Sequence, residues 1–349
     1  MPNRLWMAIV LAAVGCSTAT DEAQGEMATA AIAAAAETEP SIQDGAEAVA
    51  IWLHPGDTAQ SLILGAGGTG GLESYDLDGK RFQVVADIEP GPITIRYGFE
   101  FNGQSLPLVM VHEPRSGTVV GYSIGDDRRL YRLPGAPLEA RDEVIGLCSY
   151  RSAITGRVYL YGTTDAGLML QWELYSARGE LQGRLVRTVP LGRGAESCVV
   201  DDASGTLYFS DETLGVLAIA ADAEAEAARH TIDLRKPYGK IEEEAKGLAL
   251  VSYPDGSGRL IVADASAGRF AVYSLEGELL GRFTIGPGDG VDAVAEPERI
   301  ALAALPVGAG YPGGLLVVGD EGNEGAFANF KLVDWRQVAT ALALPDQAA

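Results

Sequence analysis

A chain of 349 residues with 48 acidic and 26 basic side chains carries a formal charge of −22, which repels nucleic acid and anionic membrane surfaces. Its 47% hydrophobic residues suffice for a large core, and its 44 glycines allow many tight turns. Acidity of this degree is either plain solubility or a sign of carboxylate clusters that hold a hard cation such as Ca²⁺.

The first residues read as an address. Arg4 precedes an apolar stretch over 5–14 that is too short to span a membrane, and Ala13-Val14-Gly15-Cys16 has the form of a lipobox. Two outcomes stay open, lipidation of Cys16 after cleavage or an ordinary secretory signal. Ser17 is not the aspartate that retains lipoproteins in the inner membrane, so the expected place is the outer membrane through a lipid anchor, the periplasm or the cell surface. Residues 17–45, rich in Ala and Glu, read as a flexible tether with helical character over 27–36.

From Glu47 onward the chain repeats itself at intervals of roughly fifty residues, the period of a propeller blade. Glu47 stands before 48–52, Thr94 before 95–97, Glu143 before 144–147, Glu196 before 197–200, Lys246 before 247–250 and Glu298 before 299–302, each an apolar run of strand character. A second repeat of alternating apolar residues ends in turn chemistry, as in Tyr75-Asp-Leu-Asp-Gly79 and Tyr273-Ser-Leu-Glu-Gly277. Three or four short strands per unit predict an all-β, six-bladed β-propeller over 46–345, with a β-sandwich or β-helix as alternatives. Strands 48–52 and its five counterparts then line a central channel, and the six polar residues converge on one rim. Apolar spacing over 334–344 predicts a short C-terminal helix capping the propeller.

Cys148 and Cys198 fall at similar places on consecutive inner strands. They either pair, in an oxidising compartment, or are two small buried residues that never meet, since sequence does not show where the Cβ atoms point. Acidic groups near strand ends, such as Asp142-Glu143, Asp201-Asp202, Asp211-Glu212 and Asp320-Glu321, are singly solvated turns but jointly could offer the six to eight oxygens that Ca²⁺ takes. Gly65-Ala-Gly67-Gly-Thr-Gly70 satisfies a dinucleotide pattern, but a hairpin strand follows it and not a helix, so no helix N-terminus meets a pyrophosphate. His54, His112 and His230 have no metal-ligand spacing.

Several motifs stand in a recognisable order: Ala50-Ile-Trp-Leu-His-Pro55, Ile95-Arg-Tyr97, Asp142-Glu-Val-Ile-Gly146, Glu196 with Asp201-Asp202, Gly313-Gly-Leu-Leu-Val-Val-Gly-Asp320 and, the most specific, Asn329-Phe-Lys-Leu-Val-Asp-Trp335. In these the chain resembles the β-propeller phytases, six-bladed calcium-dependent enzymes that remove phosphate from phytate (myo-inositol hexakisphosphate). The resemblance implies bridging Ca²⁺ held by carboxylates, basic side chains on the phosphates and a metal-activated water attacking phosphorus. It makes Arg115 the phosphate-binding arginine, Glu196 and Glu212 the catalytic carboxylates, and Glu143, Asp320 and Asn323 metal ligands.

Departures from the family pattern are as informative. Thr94 and Ile145 replace polar family residues, Asp165 stands where a phosphate lysine is expected, and Lys246 puts a rim cation where the family has a metal-binding carboxylate. A salt bridge from Lys246 to Glu196 or Glu143 would then do statically what calcium does. The expectation is an exported, monomeric phosphatase for phytate or a related phosphorylated polyol, weakly active because ligands are missing. The other reading is a noncatalytic propeller of the same family that binds a ligand or partner at its rim. A lactonase-like hydrolase would need a single-metal site at the channel centre with Glu, Asn and Asp ligands that this chain does not assemble.

Overall fold

The computed structural model describes residues 27–43, 45–140, 142–192, 194–323 and 326–344. The expected signal segment and the expected lipobox at Cys16 lie outside the described residues. Six sheets, antiparallel apart from one added strand, follow one another along the chain as blades 1 to 6, beginning at the inner strands Ala48–Trp52, Ile93–Phe101, Val144–Arg151, Ala195–Asp201, Ala245–Ser252 and Pro297–Ala303. Each inner strand pairs only outward, with the next strand of its own blade, which leaves its free edge on the channel.

The core is six cores in a ring. Separate buried clusters fill the junctions of blades 1 with 2, 2 with 3, 3 with 4, 4 with 5, 5 with 6 and 6 with 1. Strands such as Leu62–Ala66 and Leu315–Asp320 are buried at every position because both faces of a middle strand meet a neighbouring blade, so they read as continuous apolar runs. The predicted six-bladed propeller is the observed fold, and the helix Trp335–Ala341 caps it by burying Trp335 and Val338 at the junction of blades 5 and 6. Asp334 caps that helix, its carboxylate accepting the Arg336 amide at 3.1 Å.

The expected helix over 27–36 is corrected. Thr29–Ala33 is a strand that extends blade 5, pairing in parallel with Leu279–Gly286, and Ala36–Glu37 supplies the fourth strand of blade 6 by pairing with Asn329–Asp334. Alanine favours helix locally, but the outer edges of blades 5 and 6 present unpaired amides and carbonyls that an extended segment satisfies. The end of the expected tether is therefore part of the ring: Ile32 and Ala34 are buried, and Thr38 exchanges backbone hydrogen bonds with Phe330 through its amide and hydroxyl. We expect Ile32→Ala to lower the unfolding free energy by about 2–5 kcal/mol. Denaturant unfolding tests this, and an unchanged midpoint would show that the segment is not docked in solution.

Candidate active site at the axial mouth

Local backbone irregularity builds the mouth. In blades 3 to 6 the inner strand breaks register near its first residues, between Val144 and Gly146, Ala195 and Ser197, Ala245 and Leu248, and Pro297 and Ile300. A β-bulge leaves residues unpaired and re-aims their side chains. The residues released are Ile145, Glu196, Lys246 with Gly247, and Glu298 with Arg299. Glycine makes the crowding possible: a Cβ on Gly247 would meet the Glu298 carbonyl oxygen at 2.4 Å, and one on Gly146 the Glu196 carbonyl oxygen at 2.8 Å.

These strands enclose a channel of about 330 Å³. Ile51, Ile95, Leu147, Val199, Leu250 and Leu302 form its apolar wall, with Glu196 and Arg299 at the bulged end. Toward the other end Arg96 reaches from blade 2 to Asp202 of blade 4, where both guanidinium Nη atoms contact the carboxylate and Nη2 also donates to the Ser149 carbonyl at 2.6 Å. That fork ties blades 2, 3 and 4 together beside the channel.

At the mouth two cations each stand beside a carboxylate, and Glu47, before the inner strand of blade 1, lines the channel as well. Lys246 Nζ lies 2.9 Å from Glu298 Oε1, and Arg299 Nη1 lies 3.9 Å from Glu196 Oε2. The expectation that Lys246 pairs with Glu196 or Glu143 is corrected, because Lys246 and Glu298 occupy matching bulges of adjacent blades. Burial pushes the Glu196 carboxyl above its ordinary range, helped by the charges of Glu212 and Glu298 and opposed by Arg299 and Lys246. Burial works against the Lys246 ammonium, but the Glu298 hydrogen bond and the charges of Glu298, Glu196 and Glu244 leave its pKa raised.

The other expected site residues spread over the same face. Glu212 is half-buried, near enough to Glu196 to act on its charge, with its amide donating to Gly194 O at 2.8 Å and its carbonyl accepting from Arg235 at 2.9 Å. Glu143 is exposed and faces a shallow cleft with Ser116, Thr118 and Asp142 between blades 2 and 3, not the channel. Arg115 sits on the turn 113–117, 78% exposed, 3.0 Å from Glu89. Asp320 is wholly buried and turned inward, with Oδ2 3.2 Å from Lys331 Nζ and Oδ1 accepting the amides of Ala295 and Gly322 at 3.3 Å. Asn323 instead donates to the Phe327 carbonyl at 2.7 Å, so these two side chains are each engaged separately.

The donor set does not fit a calcium cluster. Among the described residues no three His, Cys, Asp or Glu side chains come together to hold a metal ion. Lys246, Arg299 and Lys331 stand beside the carboxylates that would have to supply the six to eight oxygens. Sequence reading overlooked Arg299 and Lys331. Arg299 follows the sixth repeated polar residue directly, and only the bulge shows that both residues face the mouth. Lys331 is a charged residue inside a fully buried strand, a signal visible only once 329–334 is known to be interior.

Cys148 and Cys198 are joined, with Cα atoms 5.6 Å apart, which ties the inner strands of blades 3 and 4 two residues beyond Glu196. Fold and mouth together define a closed six-bladed propeller with a partly buried, charged axial site. A model of the Phytase family matches residues 5–348, and the chain belongs to that family. It is 28% identical over 331 residues to the 3-phytase of Bacillus subtilis strain 168, covering 90% of this chain and 86% of that one. Two solved structures share the fold alone. Regucalcin, a calcium-binding protein of Agrobacterium tumefaciens strain C58, superposes with a TM-score of 0.54 at 11% identity, covering 88% of this chain and 97% of its own. The SapL1 lectin in complex with α-methyl fucoside gives 0.52 at 14% identity, covering 84% and 95%.

Proposed function

We propose that the chain is an exported phytase-like phosphatase that hydrolyses phosphomonoesters of phytate, or of a related phosphorylated polyol, slowly, at the axial mouth. The observation that carries this reading is Glu196, a carboxylate 16% exposed and held at the mouth by a bulge, in a chain of the Phytase family. Ionised Glu196, its proton affinity raised by burial and by the nearby Glu212, takes a proton from a water whose oxygen bonds to phosphorus as the P–O bond to the polyol breaks. The departing alkoxide takes a proton from solvent, and Arg299 and Lys246 offset charge on the phosphoryl oxygens. Arg115, farther out on the same face, suits a second phosphate of a polyphosphorylated ligand. Calcium, which the family resemblance brings with it, has no donor cluster here through which a step is drawn, and this underlies the expectation of slow turnover.

Export rests on the signal segment and on a disulfide that suits an oxidising compartment. Lipid attachment at Cys16 and a monomeric state belong to the same proposal. Phosphate release from phytate in the presence of Ca²⁺ tests the chemistry. Wild type is expected to turn over slowly, and Glu196→Gln to lose at least about 100-fold, the usual range for a positioned base. Because burial raises the Glu196 pKa, the acid limb of the pH profile should lie above that of an ordinary carboxylate and vanish in the variant. A folded wild type that releases no phosphate would leave the noncatalytic reading, which the internally paired mouth also favours.

A further inference from the structure

Resting on the reading that the axial mouth is the ligand site, we propose that it binds multiply phosphorylated anions without calcium, through Arg299 and Lys246 as direct phosphate ligands. Arg299 is the stronger of the two. Its guanidinium is 20% exposed, and among the described residues it makes no hydrogen bond and one ion pair, to Glu196 at 3.9 Å, beyond hydrogen-bonding distance. A planar fork of five donors is thus held at the mouth with its donor capacity unspent, and that fork matches a phosphate bidentately. Lys246 spends one N–H on Glu298, which leaves two for a ligand oxygen.

The two fixed cations offset Glu196 and Glu298, their direct partners, while Glu47, Glu212 and Glu244 keep carboxylate charge nearby, so an anion gains most where it meets Arg299 and Lys246 directly. An approaching phosphate competes with Glu196 for Arg299 across a gap that is already open, so little is lost when it binds. The apolar wall below disfavours a charged group deeper in the channel, so the anion stays at the mouth, where Glu196 lines it. Lys246 therefore acts as a ligand group in its own right, not only as a static replacement for a metal.

Calorimetric titration of the purified chain with phytate, once with EDTA and once with Ca²⁺, tests the proposal. Wild type should bind in EDTA with an affinity within about threefold of that in Ca²⁺, a difference below 1 kcal/mol. Arg299→Gln should weaken binding in EDTA by about tenfold or more, the loss of a charge-assisted hydrogen bond, and Lys246→Met by a smaller factor. Arg299→Lys, which keeps the charge without the fork, should fall between, and all variants should retain the wild-type melting profile to within a few degrees. Binding that disappears in EDTA, or that ignores both substitutions, would overturn the proposal. Binding in EDTA without any turnover would sink the hydrolase reading and leave this one standing, while calcium-dependent binding with turnover would do the reverse.

Discussion

Replacing Lys331 with methionine is expected to lower the unfolding free energy by about 3–5 kcal/mol, the cost of removing one partner from a buried ionic group. Lys331 has no exposed surface, and its ammonium contacts Glu37, Asp292 and Asp320 together. Glu37 comes from the N-terminal strand that completes blade 6, and Asp320 ends the second strand of the same blade. One cation therefore holds the closing strand and the last blade to each other, and its loss strands a wholly buried Asp320 carboxylate. For a chain of this size the melting temperature should fall by roughly 6–10 °C. Combining Lys331→Met with Asp320→Asn should recover part of the loss, because the second change removes the charge left unpaired. A single variant as stable as wild type would show that the cluster is not formed as described.

Removing the disulfide has an effect of similar size. Cys148 and Cys198 are 50 residues apart, and closing a loop of that length stabilises by about 4 kcal/mol through the unfolded chain, with 2–4 kcal/mol the usual observed range. Cys148→Ser with Cys198→Ser should therefore shift the denaturant midpoint downward, and reductant should shift wild type by the same amount while leaving the double variant unmoved. Both residues are 4% exposed, so the thiols should resist modification until the protein is reduced or unfolded. Equal midpoints with and without reductant would contradict the bond. The same variant bears on the site, since Glu196 stands two residues before Cys198 on the strand that the bond anchors.

Repetition is what made the ring legible. The run 48–52 is an inner strand residue for residue, the other five fall inside theirs, and the capping helix lies where apolar spacing put it. Such elements are set by local pattern, alternation for strands and helical spacing for 335–341, and a pattern that recurs six times cancels its own exceptions. The N-terminal strands escaped because an Ala-rich segment has no strand pattern of its own. Its conformation is dictated by the open edges of blades 5 and 6, which are distant in sequence.

Side-chain direction was the harder part. Glu143, Glu196 and Lys246 each precede an apolar run of the repeat, yet Glu143 turns to an outer cleft while the others meet at the mouth, because Glu143 stands one residue before its strand and Ile145 takes the bulge position that Glu196 and Lys246 take in theirs. Asp320 looks like a rim ligand in sequence and is instead the buried partner of Lys331. Arg299 was hidden by the assumption of one outward residue per blade, whereas the bulge in blade 6 releases two.

A crystal structure of the chain with the nonhydrolysable anion myo-inositol hexasulfate measures the main claim directly. One sulfate is expected within hydrogen-bonding distance of Arg299 and Lys246, beside Glu196, at the bulged end of the channel. Sulfates gathered only around Arg115 or the cleft of Glu143, with the Arg299–Glu196 and Lys246–Glu298 pairs undisturbed and solvent between them, would contradict it.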